Sequence, residues 1–135
     1  MKQFTLGKTE RLKSRKQIEQ LFKEGKTFTV SPLRIYYATH PSLALSSPLQ
    51  FGAAVGTKHF KHAVDRNRIK RLIREAYRLQ KNDLQEQLKL KKTTVNVFFM
   101  YTGKELPGYQ LIYEKAGIAL LKLSKITDGL TETDT

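Results

Sequence analysis

Apolar positions recur along this chain in two rhythms, one with helical spacing and one that alternates, and prolines, glycines and polar clusters separate them. Ile18, Leu21 and Phe22 follow Ser14-Arg15-Lys16-Gln17, which has the form of a capping box, and Gly25 supplies a stop. The spacing predicts a short first helix. Thr27 to Val30 and Leu33 to Thr39 read as strands separated by the Ser31-Pro32 turn; a proline at the head of a strand is tolerated because its amide need not join a ladder. The segment His40 to Pro48, with Pro41 and three serines, reads as a loop, and a third strand follows from Leu49 to Gly56. Helical spacing resumes from near Ala63 to about Leu79, and a further amphiphilic stretch, Leu84 to Leu90, either continues that helix or restarts after Asn82. Thr94 to Tyr101, rich in Val and Phe, reads as a strand, and strand–helix–strand at this spacing predicts a crossover joining two parallel neighbours. After Pro107-Gly108 a last helix carries the core stripe Ile112, Ala116, Ala119, Leu120 and Leu123. The polar end from Thr127 to Thr135 reads as a frayed or disordered tail, leaving residues 1–126 as a single domain.

Two strands are asymmetric. In the third, Phe51, Ala53 and Val55 share one face while Gln50, Gly52, Ala54 and Gly56 share the other, so one face is bulky and the other nearly bare. A bare face serves either the close approach of a ligand or tight helix packing. In the second strand, Leu33, Ile35 and Tyr37 oppose Arg34, Tyr36 and Ala38, and an Arg and a Tyr beside a bare strand make a shallow polar-aromatic floor.

Charge changes the picture more than any other bulk property. Lys and Arg number 25 against 12 Asp and Glu, a formal charge of +13 on 135 residues. Nucleic acid is the leading partner of such a chain. A membrane surface also attracts basic proteins, but here the apolar faces are needed for a core and no apolar run approaches a membrane span. The chain has no Cys, which removes disulfides, thiolate nucleophiles and Cys-based zinc sites together. With no apolar segment at its N-terminus it reads as cytoplasmic.

The charge concentrates in Arg66-Asn67-Arg68-Ile69-Lys70-Arg71-Leu72-Ile73-Arg74. On a helix, Ile69, Leu72, Ile73, Ala76 and Leu79 gather on one side, and Arg66, Asn67, Lys70, Arg71, Arg74 and Arg78 on the other. Between Arg66 and Arg78 Glu75 is the only acid, so like charges at i,i+4 repel without full internal compensation, and a polyanion would offset that repulsion. Arginine suits the task because its fork grips phosphate bidentately. A merely solvated helix face would carry fewer uncompensated cations.

This run resembles the signature helix of the bacterial ribonuclease P protein subunit. Arg11-Leu12-Lys13 and the helix ending in Phe22 and Gly25 resemble that family's N-terminal segment, and the strand carrying Ile35-Tyr36 resembles its second strand. Phe51 to Lys58 followed by Ala63-Val64 resembles the approach to its signature helix, and the likeness spans about Leu6 to Leu123. It implies an α+β fold, a two-layer α/β sandwich in the order α-β-β-β-α-β-α, with a mixed sheet and a left-handed βαβ crossover through the basic helix. It also implies an accessory role in removing the 5′ leader of precursor tRNA, within a ribonucleoprotein whose large RNA holds the catalytic centre.

Residue by residue, the resemblance assigns Arg66, Asn67, Arg68, Lys70, Arg71, Arg74 and Lys58 to RNA binding, and Phe22, Tyr36, Ile18 and Arg34 to a cleft for the single-stranded leader. Ile18 departs from the family pattern, in which many members carry an aromatic residue. Gly56-Thr57-Lys58-His59 likewise stands in place of a double-basic stretch. No catalytic residue, metal site or cofactor is expected in the chain itself; Mg2+ is expected through the RNA. The expected partners are the large catalytic RNA and precursor tRNA, with no membrane and no obligate protein partner.

The residues on their own agree that the chain lacks hydrolytic chemistry. His59 and His62 have helical spacing but only Asp65 close by, whereas cation sites that cut nucleic acids use several acidic oxygens. Asp65 reads as an early-helix acid that offsets the macrodipole. Two other readings share the charge and size: a structural RNA binder of the ribosomal-protein type, which needs no substrate cleft, and a protein-only nuclease, against which the missing acidic cluster argues.

Overall fold

A computed structural model describes residues 15–41 and 49–128. The polar N-terminal arm, including Ser14 of the capping box, and residues 42–48 lie outside them. The chain forms α1 (Arg15–Glu24), β1 (Lys26–Val30), β2 (Leu33–Pro41), β3 (Leu49–Val55), α2 (Ala63–Gln80), α3 (Asn82–Lys91), β4 (Thr93–Tyr101) and α4 (Tyr109–Asp128). The four strands make one sheet in the order β1-β2-β4-β3, antiparallel except for the parallel pair β3 and β4. That parallel pair is the crossover expected from the strand–helix–strand spacing.

Alternation along the strands creates two unlike sheet faces. One carries Leu33, Ile35, Tyr37, Phe51, Val95, Val97, Phe99 and Tyr101, all buried, and α2, α3 and α4 cover it as the second layer. Helix α4 contributes the five residues expected of it, Ile112, Ala116, Ala119, Leu120 and Leu123. The other face carries a smaller cluster in which Leu21 of α1 meets Phe98, with Ile18, Tyr36, Ala38 and Ala54 around them. Among the described residues, helix α1 is therefore the one helix on this face, across the sheet from the others.

Three details depart from the expectations drawn from sequence, and one alternative left open there is decided. Leu79, read as core, is exposed, and Tyr77 is fully buried in its stead, stacked on Phe51 at 3.8 Å between ring centroids. The cause is the arc that α2 presents: Ile69, Ile73, Ala76 and Tyr77 lead next to Gln80, whose amide donates to the carbonyls of Ala76 and Tyr113. The amphiphilic stretch after Asn82 is a separate helix, with Lys81 buried at the junction. His40 and Pro41, expected in a loop, extend β2 because β4 begins early enough to pair them with Thr94 and Thr93. Thr127, assigned to the tail, is buried in α4, where its hydroxyl donates to the Leu123 carbonyl and accepts from the Gln87 amide of α3.

Gly25 fixes how α1 sits. Its N–H donates to the Leu21 carbonyl at 2.9 Å. A Cβ at this position would strike that carbonyl oxygen and lie 2.8 Å from the Leu21 side chain and 3.0 Å from the Tyr37 carbonyl. Gly25→Ala is therefore expected to cost about 1–3 kcal/mol through overpacking. Gly56→Ala, where nothing lies within 4 Å, should be nearly neutral, and thermal melts of the two variants make the comparison.

Candidate nucleic-acid interface

Helix α2 divides its cations by position around the axis. Asn67, Arg68, Arg71 and Arg74 are exposed opposite the buried arc, forming a crest. Arg66 and Lys70 are half-buried on the flank they share with Tyr77, which faces β3 through Phe51. Arg66 Nη1 donates to the carbonyls of Phe60 and Lys61, each at 2.8 Å, so this side chain also holds the loop that leads into the helix. Lys58 is exposed in that same loop. Asp65 occupies the first turn, where its charge complements the helix dipole.

The one acid in the stripe is committed. Arg78 grips Glu75 with Nη2 at 2.5 Å and Nε at 3.1 Å, and these hydrogen bonds hold the Glu75 carboxyl below the usual carboxylate range. Arg78, counted with the basic stripe on sequence grounds, is thereby paired, while Arg68, Arg71 and Arg74 stand on an exposed surface. Removing Glu75 from the local balance sharpens the positive crest.

Strand pairing builds the second feature on the opposite sheet face. Register places Arg34, Met100 and Ala54 in one row across β2, β4 and β3, and Tyr36, Phe98 and Gly52 in the next. Phe22 of α1 leans over the second row, its ring edge-on to Tyr36 at 4.7 Å and to Phe98 at 5.3 Å. Phe22 is 40% exposed, so it forms a wall more than a core plug. Ile18 packs beside this group, and Arg34 is exposed one row away. Phe98 completes the aromatic corner and was not among the residues read from sequence as cleft-lining. Its signal was the Phe98-Phe99 pair: on a strand, adjacent residues face opposite sides, so one of the two had to leave the main core.

Gly52 and Ala54 continue the floor from this corner to the edge of the sheet. The helix packed on β3 is α2, and it lies on the Phe51 side. The bare side of β3 is thus not a seat for that helix. The cationic helix thus packs over the edge strand β3 on one sheet face, while the aromatic corner stands over the inner strands β2 and β4 on the other.

His59 and His62 are both exposed, and His62 is the N-cap of α2 without a side-chain capping bond. Among the described residues, no group of three or more His, Asp or Glu side chains is placed to hold a metal ion, and no helix is long and apolar enough to cross a membrane.

The Ribonuclease P family model matches residues 6–110. The ribonuclease P protein component of Porphyromonas gingivalis strain W83 is 39% identical over 123 residues, covering 90% of this chain and 88% of the relative. That of Chlorobium phaeobacteroides is 31% identical over 134 residues, covering 91% and 92%. The Staphylococcus aureus RNase P protein structure superposes with a TM-score of 0.62 at 19% identity, covering 87% of this chain and 96% of that one, a likeness of fold. An uncompensated cationic helix and an aromatic corner on a matching fold, together with relatives matched over nearly their whole length, lead to one assignment: the chain belongs to the ribonuclease P protein component family.

Proposed function

We propose that this chain binds the large catalytic RNA of ribonuclease P through α2 and Lys58, and receives the single-stranded 5′ leader of precursor tRNA between α1 and the bare side of β3. In this reading it assists endonucleolytic removal of the leader in the cytoplasm. Phosphodiester cleavage belongs to the RNA, with Mg2+ held by RNA oxygens, and neither a membrane nor an obligate protein partner takes part.

The observation that carries the proposal is the combination of a cationic helix over one face of the sheet and a partly exposed aromatic corner on the other. Arg68, Lys70, Arg71 and Arg74 are set to meet phosphates, which positions an RNA without reading it. Phe22 and Tyr36, seated on the buried Phe98, form an apolar corner that can stack on bases regardless of sequence, as a leader of variable sequence requires. A purely structural RNA binder would need the first feature and not the second.

The two features should fail separately. Tyr36→Ala should leave assembly with the large RNA nearly intact, yet lower the holoenzyme's preference for precursor over mature tRNA by about 1–3 kcal/mol, the worth of one stacked base. Phe22→Ala should act in the same direction with an added loss of stability. The measurement is the affinity of each assembled variant for precursor and for mature tRNA, with circular dichroism as the folding control. If well-folded Tyr36→Ala discriminates as well as the parent, the leader cleft is wrong and the structural-binder reading takes its place.

A further inference from the structure

The first two turns of α4 carry Tyr109 and Tyr113, which share a side of the helix at i,i+4. Their rings lie 5.8 Å apart at 49°, and they are 37% and 38% exposed. Neither belongs to the apolar side chains packed on the main core, and α4 is anchored by Ile112 and Ala116. Burial of α4 thus does not require these rings.

Their position is nonetheless fixed. Gln80 Nε2 donates to the Tyr113 carbonyl at 3.0 Å and to the Ala76 carbonyl at 3.1 Å, which ties the start of α4 to the end of α2. Small residues let the helices approach: Ala76 and Ala116 are fully buried, and a Cβ at Gly117 would lie 2.6 Å from Gln80 Oε1. Tyr109 stands close enough to Glu75 and Arg78 to feel both; its hydroxyl pKa is raised, first by burial and then by the Glu75 carboxylate. Arg78 follows Arg74 by one helical turn and Arg71 by two, so the tyrosines prolong the α2 crest onto α4.

We propose that Tyr109 and Tyr113 form a stacking shelf for an unpaired base of the same RNA whose phosphates lie along α2. This rests on the reading of α2 as an RNA contact. Exposed rings that continue a cationic ridge match what single-stranded RNA offers, a charged backbone with π-faces beside it. Because Arg78 beside the shelf is already paired with Glu75, the contribution of the shelf is stacking and not charge. Affinity should therefore fall when the rings are removed, while its dependence on salt stays the same.

The test measures binding of the large RNA of ribonuclease P across a salt series for Tyr109→Ala, Tyr113→Ala, Tyr109→Leu and Tyr109→Phe, with Arg71→Ala alongside. The Ala and Leu variants should bind roughly 5- to 150-fold more weakly per stacked base lost, with the parent's salt slope, and the Phe variant should bind within about twofold of the parent. Leu retains apolar packing without a ring, so Tyr109→Leu separates stacking from stability. A short oligoadenylate supplies a second readout: the chain has no Trp, so quenching of tyrosine emission reports stacking and should diminish in the double Tyr109→Leu, Tyr113→Leu variant. Parent-like affinity in folded Tyr109→Leu and Tyr113→Ala proteins would overturn the shelf. An unchanged salt slope in Arg71→Ala would instead bring down the α2 reading beneath it.

Discussion

Raising monovalent salt from about 50 to about 200 mM is expected to weaken binding of the large RNA by roughly three orders of magnitude, the loss that accompanies some six phosphate contacts. Arg66, Arg68, Lys70, Arg71 and Arg74 lie within a little over two turns of α2, with Lys58 in the loop before it. The only acid between residues 66 and 80, Glu75, is bound by Arg78. Each neutralised phosphate releases condensed counterions, so Arg71→Ala or Arg74→Ala should lower the log–log slope by roughly 0.7–0.9. Both side chains are exposed and alanine favours helix, which leaves the fold intact. Arg74 stands four residues from both Lys70 and Arg78, and like charges at that spacing repel by a few tenths of a kcal/mol. Arg74→Ala should therefore melt no lower than the parent while binding RNA less well. Affinity that barely moves across that salt range would sink the electrostatic account, and a lower melting temperature would show that Arg74 has a structural role.

Much of this architecture was legible in the chain because two signals coincided. Strong alternation in Leu33 to Tyr37 and Leu49 to Val55 fixed the strand faces, and helical spacing fixed α4 and most of the buried arc of α2. The misses share one cause, since each depends on a partner distant in sequence. Tyr77 is core because Phe51 offers a ring to stack on, and Gln80 replaces an apolar residue because Tyr113 offers a carbonyl. Thr127 extends the last helix because Gln87 and Ser124 form a hydrogen-bonded seat with it. The interface is mixed in this respect. The cationic run could be read locally, but Arg66 and Lys70, grouped with the exposed side on sequence grounds, are half-buried beside Tyr77, and Arg68 joins the crest instead. The pairing of Arg78 with Glu75 was local too, at i,i+3, and could have been read from spacing. The meeting of Phe98 with Phe22 and Tyr36 could not, because it is set by the β2–β4 register and by where α1 crosses the sheet.

Protein freed of all RNA is expected to cleave no precursor tRNA at any Mg2+ concentration, whereas adding the large RNA should give cleavage; the contrast is presence against absence of activity. Metal-assisted phosphodiester hydrolysis needs acidic oxygens to hold cations against the reacting phosphate and a group to orient the nucleophile. The basic border of this protein holds Asp65 in the first turn of α2 and Glu75 under Arg78, with exposed His59 and His62 before the helix. Glu75 is engaged, and a lone Asp65 among cations cannot hold a pair of metal ions. What the border can do is neutralise phosphates, which lets two polyanions approach each other at low Mg2+. Its benefit should therefore be largest at low Mg2+ and shrink as Mg2+ takes over the screening. The assay follows 5′-labelled precursor tRNA with nuclease-treated, repurified protein, with the large RNA alone, and with both, over a Mg2+ series. Cleavage by the RNA-free protein would move the catalytic centre into this chain. A protein benefit that does not diminish at high Mg2+ would mean that it contributes something other than charge neutralisation.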